Sequence, residues 1–403
     1  MISRQQFRDV KAKYLQLYIN ELFEAFQVDY EIKCSTCGKP SQSLLGFKCP
    51  YCGEPLSVQC RGEFETEQIR KKDYSLWRYA RFFPYVKETD VITLGEGRTP
   101  LVKFSSHVRF KLESLNPTGS FKDRGSTTLI SALHRLIKKA GGYLSEDSSG
   151  NAGASVAAYA TRIGLRAKIY VPENVSGPKF NQIQFYGADV VKVRGSRSKV
   201  TEEAQKPETG KFYVGHILHP LFRDGIRSLA YEIAEQLDWR APERIYLPVS
   251  AGTLLLGVVS GFNHLVESGI LDTMPKVVAC QTAQVSPLYH CFKNLSYRPP
   301  EQIVSIADAL VSVNPPLMNI MVDELKRAQG DVAMVEEGGI FEGFKELASY
   351  GFFVEPSSAV AYAAFKKQLA EKETSRSDNI VIILTGAGLK TALKPDMSQN
   401  LGN

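Results

Sequence analysis

From about residue 76 onward, short runs rich in Val and Ile alternate with longer stretches whose apolar residues recur every three or four positions. The runs at 168–171, 189–193, 245–249, 276–281 and 379–384 predict strands, and helix-patterned segments flank most of them. Such alternation over about 300 residues predicts an α/β protein with a largely parallel, buried sheet. Two stretches lack an apolar stripe and are expected as surface connections: GSRSKVTEEAQKPETG at 195–210, and 294–300 with its two closing prolines.

Ahead of residue 76 the pattern changes. Tyr14, Leu15, Tyr18, Leu22, Phe23 and Phe26 share helical spacing and predict a docked amphipathic helix without the apolar core of a signal peptide. Next comes CSTCGKPSQSLLGFKCPYCG, in which the pairs Cys34/Cys37 and Cys49/Cys52 are separated by eleven residues and each is followed by a glycine. Four thiolates at this spacing can close a tetrahedral site around Zn2+ with no position left for water. The bound metal would stabilise a segment too short to bury a core of its own. Free or oxidisable cysteines are the alternative. Only Lys39 and Lys48, with Phe47 and Tyr51, lie inside the ribbon, so bracing of a neighbouring domain is expected rather than nucleic-acid binding. The expected organisation is 1–75 for helix and zinc ribbon and 76–403 for a catalytic region, with a smaller α/β domain inserted at roughly 140–230.

Composition changes this picture little. A hydrophobic fraction of 43% and a charged fraction of 23% are ordinary for a globular protein. The net charge of +6 is spread along the chain; it suits an anionic small molecule and is too diffuse for nucleic acid. No apolar run reaches the length of a membrane span. Seven cysteines, four of them in one cluster, point to a reducing cytoplasm and a metal site rather than a disulfide framework.

Candidate chemistry sits where strand signals give way to helix signals. In NPTGSFKDRG (116–125), turn formers precede Lys122, and Leu129, Ala132, Leu133, Leu136 and Ile137 make a buried stripe after it. Ser120 is expected to cap this helix, with Asp123 completing a capping box. Lys122 then falls in the first turn, where the helix dipole disfavours a cation. DSSGNAG (147–153), SAGTL (250–254) and LTGAGLK (384–390) are three further loops offering backbone N–H groups and hydroxyls to anions. Each alone is a weak signal, with a plain cap or turn as the alternative. Together they suit one chemistry: a lysine forming a Schiff base with an aldehyde cofactor, a loop for its phosphate, a loop for a substrate carboxylate and a hydroxyl for its ring nitrogen. That cofactor is pyridoxal 5′-phosphate.

The ordered motifs LGEGRTPL (94–101), KLESLNPTGSFKDRG (111–125), SSGNAGAS (148–155), EPSSA (355–359) and TGAGLK (385–390) resemble those of threonine synthases over roughly residues 76–395. That family belongs to the fold-type II pyridoxal-phosphate enzymes, and some members carry an N-terminal zinc-binding segment. The resemblance implies two open parallel-sheet α/β domains behind the ribbon, and a homodimer. It implies Lys122 as the Schiff-base lysine and proton shuttle, with Phe121 near the cofactor and Asn151 at its 3-hydroxyl. Ser250, Ala251, Gly252, Thr253 and Leu254 would hold the cofactor phosphate, and Thr385 would face the pyridine nitrogen. A hydroxyl at that nitrogen suits elimination and replacement better than transamination.

For the amino-acid substrate, Ser148 and Ser149 would hold the carboxylate, and Lys111, Arg124, Arg223 and Arg227 are the cations to test for a substrate phosphate. The family reaction converts O-phosphohomoserine and water to threonine and phosphate, a lyase reaction. Several positions depart from the family pattern. PVSAGTL stands where a PVGNAGN-like loop is usual, and LFRDGIRS stands where R-x-E-G-Q-K-T is usual, displacing the arginine by one position. Ala152 and Ala387 replace the usual Thr and His. If none of the four cations reaches the crevice, a serine/threonine dehydratase gains over threonine synthase. A β-replacement enzyme such as cysteate synthase shares cofactor and fold, and a catalytically silent zinc-ribbon binding protein is the alternative from another class.

Overall fold

The computed structural model describes residues 30–375 and 377–392; the expected N-terminal helix lies outside them. The chain begins with a two-stranded antiparallel ribbon, β1 (Tyr30–Cys34) and β2 (Leu56–Cys60), with Tyr30 opposite Cys60. It then lays down β3 (Leu101–Lys103) and β4 (Val108–Leu112). A second sheet follows, from β5 (Tyr143–Glu146), β6 (Ala167–Pro172), β7 (Asp189–Val193) and β8 (Lys211–Tyr213). The chain returns to the earlier sheet with β9 (Arg244–Pro248), β10 (Lys276–Thr282), β11 (Asp331–Val335) and β12 (Ile380–Leu384).

The six-stranded sheet has the order β11-β10-β9-β12-β4-β3, parallel except for β3 at its edge. The four-stranded sheet has the order β7-β6-β5-β8 and is parallel throughout. Central strands such as β12, IVIIL, are buried along their whole length. Continuous apolar runs of this kind belong to parallel sheets covered on both faces by crossover helices.

The helices are α1 (Lys122–Lys139), α2 (Asn151–Arg162), α3 (Pro178–Phe185), α4 (Arg197–Gln205), α5 (Pro220–Ile226), α6 (Ser228–Gln236), α7 (Thr253–Glu267), α8 (Pro287–Phe292), α9 (Met318–Arg327), α10 (Glu337–Ser349) and α11 (Pro356–Ala370). Every strand expected from the sequence is present within a residue at each end. The polar stretch 195–210 is not all connection, because α4 lies inside it. Ser196 caps α4 by accepting from Lys199 N, and Val200 and Ala204, four residues apart, are its buried face. Two small apolar residues on one side suffice for a three-turn helix on a sheet, and they are too few to register as a stripe.

The ribbon is fastened to the body of the molecule. Phe47 sets its ring against Tyr213 of β8, with centroids 4.8 Å apart. His264 Nε2 lies 2.8 Å from the Gly62 carbonyl, and Phe64 N donates to Ser268 Oγ at 2.8 Å. Phe64 stacks on Phe82 at 4.0 Å and packs against Tyr231 at 4.7 Å. Aromatic pairs at such spacings contribute roughly 0.5–1.5 kcal/mol each beyond the area they bury.

Candidate active site

Four loops converge at the carboxyl ends of strands from both sheets. The loop before α1 is tied to the loop after β12: Phe121 N donates to Thr385 O at 3.1 Å and Ala387 N donates to Gly119 O at 2.9 Å. Gly119 has φ +81, and a Cβ there would press on the Lys390 side chain at 3.0 Å. Lys122 is the first residue of α1, and its Nζ reaches Thr253 Oγ1 at the start of α7, 3.3 Å away. The ring of Phe121 lies 4.6 Å from the same nitrogen and that of Phe222 5.9 Å. Burial pulls the Lys122 ammonium down to about 8, although the carboxylates of Glu146 and Glu355 act to raise it. A lysine kept close to neutrality in this way is a usable nucleophile and base.

Ser120 does not cap α1. The residue before the helix is Phe121, which offers no side-chain cap, and Ser120 Oγ is buried without a partner. Asp123 instead ties the loop together, accepting from Thr118 N at 2.7 Å, Thr118 Oγ1 at 2.6 Å and Ser155 Oγ at 2.6 Å. Those bonds turn the start of α1 toward α2 and leave the first turn open.

The N-terminus of α2 has Gly150 before it and no side-chain cap, and that of α7 has left-handed Gly252 (φ +96), again uncapped. Uncapped first turns leave backbone N–H groups free for an anion. Asn151 donates through Nδ2 to Glu355 Oε2 at 2.9 Å, while its Oδ1 is buried without a partner. Ser148 Oγ accepts from Gly150 N at 3.3 Å, and Ser149 lies beside it in the same turn. Thr385 Oγ1 pairs with Ser358 Oγ at 2.8 Å. Ser250 and Ala251 are half-buried in the turn before Gly252, whereas Leu254 points into the hydrophobic core. A Cβ on Gly386 would run into the Glu355 carboxylate, so that close approach requires glycine.

The cations expected at a substrate phosphate are committed elsewhere. Lys111 is fully buried, donating to Glu232 Oε1 at 2.5 Å, Thr99 O at 2.6 Å and Gln236 Oε1 at 2.8 Å. Arg124 joins Glu113 at 2.7 Å and Glu232 at 2.9 Å. Burial would raise the Glu232 carboxyl, but Arg124 and Lys111 together hold it at about 2. Arg223 donates to the carbonyls of Ile217 at 2.8 Å and Leu218 at 2.9 Å, and its other nitrogen donates to Leu56 O of the ribbon. Arg227 is spent on Asp224, Phe82 O and Tyr231. The hydrogen bonds that Lys111 and Arg223 make thus all go to acceptors of the protein itself, carboxylate, amide and carbonyl oxygens.

Sequence reasoning passed over Glu355, Glu146, His216 and Phe222. Glu355 begins the EPSSA motif, forms an ion pair with Lys179 and accepts from Asn151. Glu146 directly precedes the DSSG turn, so its position at a strand end was the available signal. His216 and Phe222 carry no local signal; only packing brings them to Lys122.

In the ribbon, the sulfur atoms of Cys34, Cys37, Cys49 and Cys52 lie within 4.8 Å of one another. Cys60 stays apart, its thiol facing Gly62 O at 3.8 Å.

Two half-sites on open parallel sheets, with a half-buried lysine between uncapped helix N-termini, define a fold-type II enzyme built to hold a phosphorylated aldehyde cofactor. The family model "Pyridoxal-phosphate dependent enzyme" matches residues 92–386, and the chain belongs to that family, as a pyridoxal-phosphate-dependent enzyme of the lyase type. Among curated relatives, the threonine synthase of Methanocaldococcus jannaschii is 32% identical over 380 residues, covering 89% of this chain and 92% of that protein. The threonine synthase of Synechocystis is 30% identical, covering 91% and 93%. Among solved structures, maize serine racemase superposes with a TM-score of 0.61 at 24% identity, covering 84% of this chain and 97% of the other. A threonine deaminase from Solanum lycopersicum gives 0.64 at 19% identity, covering 84% and 88%. These two likenesses show the fold. Among the described residues, no helix is long and apolar enough to cross a membrane.

Proposed function

We propose that the chain is a threonine synthase-type enzyme that takes O-phosphohomoserine and water to threonine and phosphate. The observation that carries this reading is similarity to a threonine synthase over 89% of this chain and 92% of that protein, around a Lys122 with no carboxylate hydrogen-bonded to it. In this reading the smaller α/β unit at roughly 140–230 contributes the turn with Ser148, Ser149 and Asn151, which holds the substrate carboxylate. The bound cofactor supplies an electron sink for a carbanion at the substrate Cα. Gly252 and Thr253, with the uncapped N–H groups of α7, hold the cofactor phosphate; Asn151 binds its ring hydroxyl and Thr385 its ring nitrogen. Phe121 and Phe222 exclude water beside Lys122. Lys122 Nζ takes the proton from Cα and returns it, moving protons among neighbouring carbons. The four thiolates hold a structural Zn2+, and the protein works as a cytoplasmic homodimer.

One observation favours a second reading, a dehydratase for serine or threonine. The cations suited to a substrate phosphate are tied to buried acceptors, and the carboxylate that acts on Lys122 is that of Glu355. A parallel assay separates the two. Product from O-phosphohomoserine and none from threonine or serine supports the first; the reverse supports the second. Product from O-phosphoserine plus sulfite would replace both with β-replacement. A cofactor-loaded sample with no visible absorbance band sensitive to borohydride would sink the enzyme assignment of Lys122. One zinc per chain by elemental analysis supports the ribbon assignment.

A further inference from the structure

Glu146 and His216 form a titratable pair beside Lys122 that the cofactor does not use. Glu146 ends β5 and is fully buried. Its Oε2 accepts from His216 N at 3.0 Å, and its Oε1 lies 2.7 Å from His216 Nδ1. Two contacts to one residue fix the imidazole plane. The other ring nitrogen, Nε2, makes no hydrogen bond among the described residues and is not enclosed. The His216 ring packs edge-on against Phe222 with centroids 5.8 Å apart, and the same Phe222 ring lies 5.9 Å from Lys122 Nζ, so both groups meet one side chain. The neighbouring Asp147 accepts from Tyr213 at 2.8 Å and Thr201 at 2.6 Å and pairs with Arg197 at 3.1 Å.

We propose that His216 is the acid–base catalyst for the carbon–oxygen bond at Cβ of the amino-acid substrate, and that Glu146 is the positioning residue that fixes its tautomer. The proposal rests on the lyase reading above and deepens it. Burial, with Asp147 beside it, keeps the Glu146 carboxyl protonated well above the usual range, and burial and the Lys122 charge keep His216 neutral. A protonated Glu146 donates to Nδ1, which leaves the ring proton on Nε2.

In loss of a hydroxyl, Lys122 takes the Cα proton and the freed pair becomes the Cα–Cβ double bond. The Cβ–O pair departs on oxygen. His216 Nε2 gives that oxygen its proton, forming water, while Nδ1 takes the proton of Glu146. In addition of water at Cβ the same steps run backward. Oxygen bonds to Cβ, its proton passes to Nε2, the Nδ1 proton returns to Glu146, and the displaced pair receives a proton at Cα from Lys122. The pair therefore serves a threonine synthase and a dehydratase alike.

The test uses the cofactor-loaded enzyme with O-phosphohomoserine, threonine and serine. Exchange of the substrate Cα hydrogen in D2O, followed by NMR, reports Lys122; product formation reports the bond at Cβ. His216→Asn is expected to keep α-exchange within about twofold while product forms about 10²-fold more slowly. Glu146→Gln can still donate to Nδ1 but cannot relay a proton, so a loss of about tenfold is expected. Added imidazole should restore part of the turnover of His216→Ala. An unchanged visible absorbance band shows that each variant is folded and loaded. Product formation unaffected by His216→Asn, or α-exchange falling in step with product, overturns the proposal while leaving the lyase reading intact. Wild-type enzyme that forms no product from any of the three overturns that reading and the proposal with it.

Discussion

Lys111 is fully buried and Lys122 half-buried, both have ammonium groups pulled down by desolvation, and both belong to one motif. What differs is the company. Lys111 has three acceptors around Nζ, one of them the Glu232 carboxylate, which Arg124 also holds. Lys122 has one hydroxyl and two aromatic rings. A buried ammonium with all three donors satisfied is a structural tie; one left short of partners is available for chemistry.

The difference can be broken most sharply at Lys122. Lys122→Ala should lower product formation by roughly 10³-fold or more, with no loss of folding stability, since an under-satisfied buried cation is removed. Turnover beside thermal unfolding checks both halves; an active variant would move the catalytic lysine elsewhere. Lys111→Met should do the opposite. Leaving Glu232 with one cation fewer should cost on the order of 3 kcal/mol in denaturant unfolding, with turnover per folded molecule within about twofold.

A pH measurement sharpens the same contrast. In cofactor-free protein the Lys122 ammonium is held at about 8 against an ordinary 10.5, so between those values the unfolded chain binds more protons than the folded one. Stability should therefore rise with pH across that window. Below about 8 both states are protonated and the cost of burying the charge is fully present. Lys390 is also pulled to about 8 by burial, so the difference between wild type and Lys122→Met isolates Lys122. That difference should be on the order of 3 kcal/mol. The smallest expected effect is at the ribbon. Arg223→Lys should give up the forked contacts to Leu56, Ile217 and Leu218 and cost about 1–2 kcal/mol, leaving the KM for O-phosphohomoserine within about twofold. A tenfold rise in that KM without loss of stability would return Arg223 to the substrate.

Much of this arrangement was readable along the chain. The expected strands, the cysteine spacing and the four loops are local features, and local features leave local patterns. The misreadings share one cause. α4 rests on Val200 and Ala204, whose burial depends on the sheet beneath them. Ser120 looked like a cap because S-x-x-D is a cap in an isolated helix, but Asp123 found Thr118 and Ser155 instead. The acceptors that hold Lys111 and Arg223, Glu232 at 121 residues beyond Lys111 and Leu56 at 167 residues before Arg223, are brought against them only by folding.

The order of strands and helices, the ribbon's four thiols and the lysine at a strand-to-helix junction follow from spacing, which is a property of neighbouring residues. Which cations are free, which carboxylates stand beside Lys122, and the setting of His216 between Glu146 and Phe222 follow from folding. Charges act through space, over distances that only the packed chain sets, and a side chain's chemistry depends on which of its donors and acceptors are already taken.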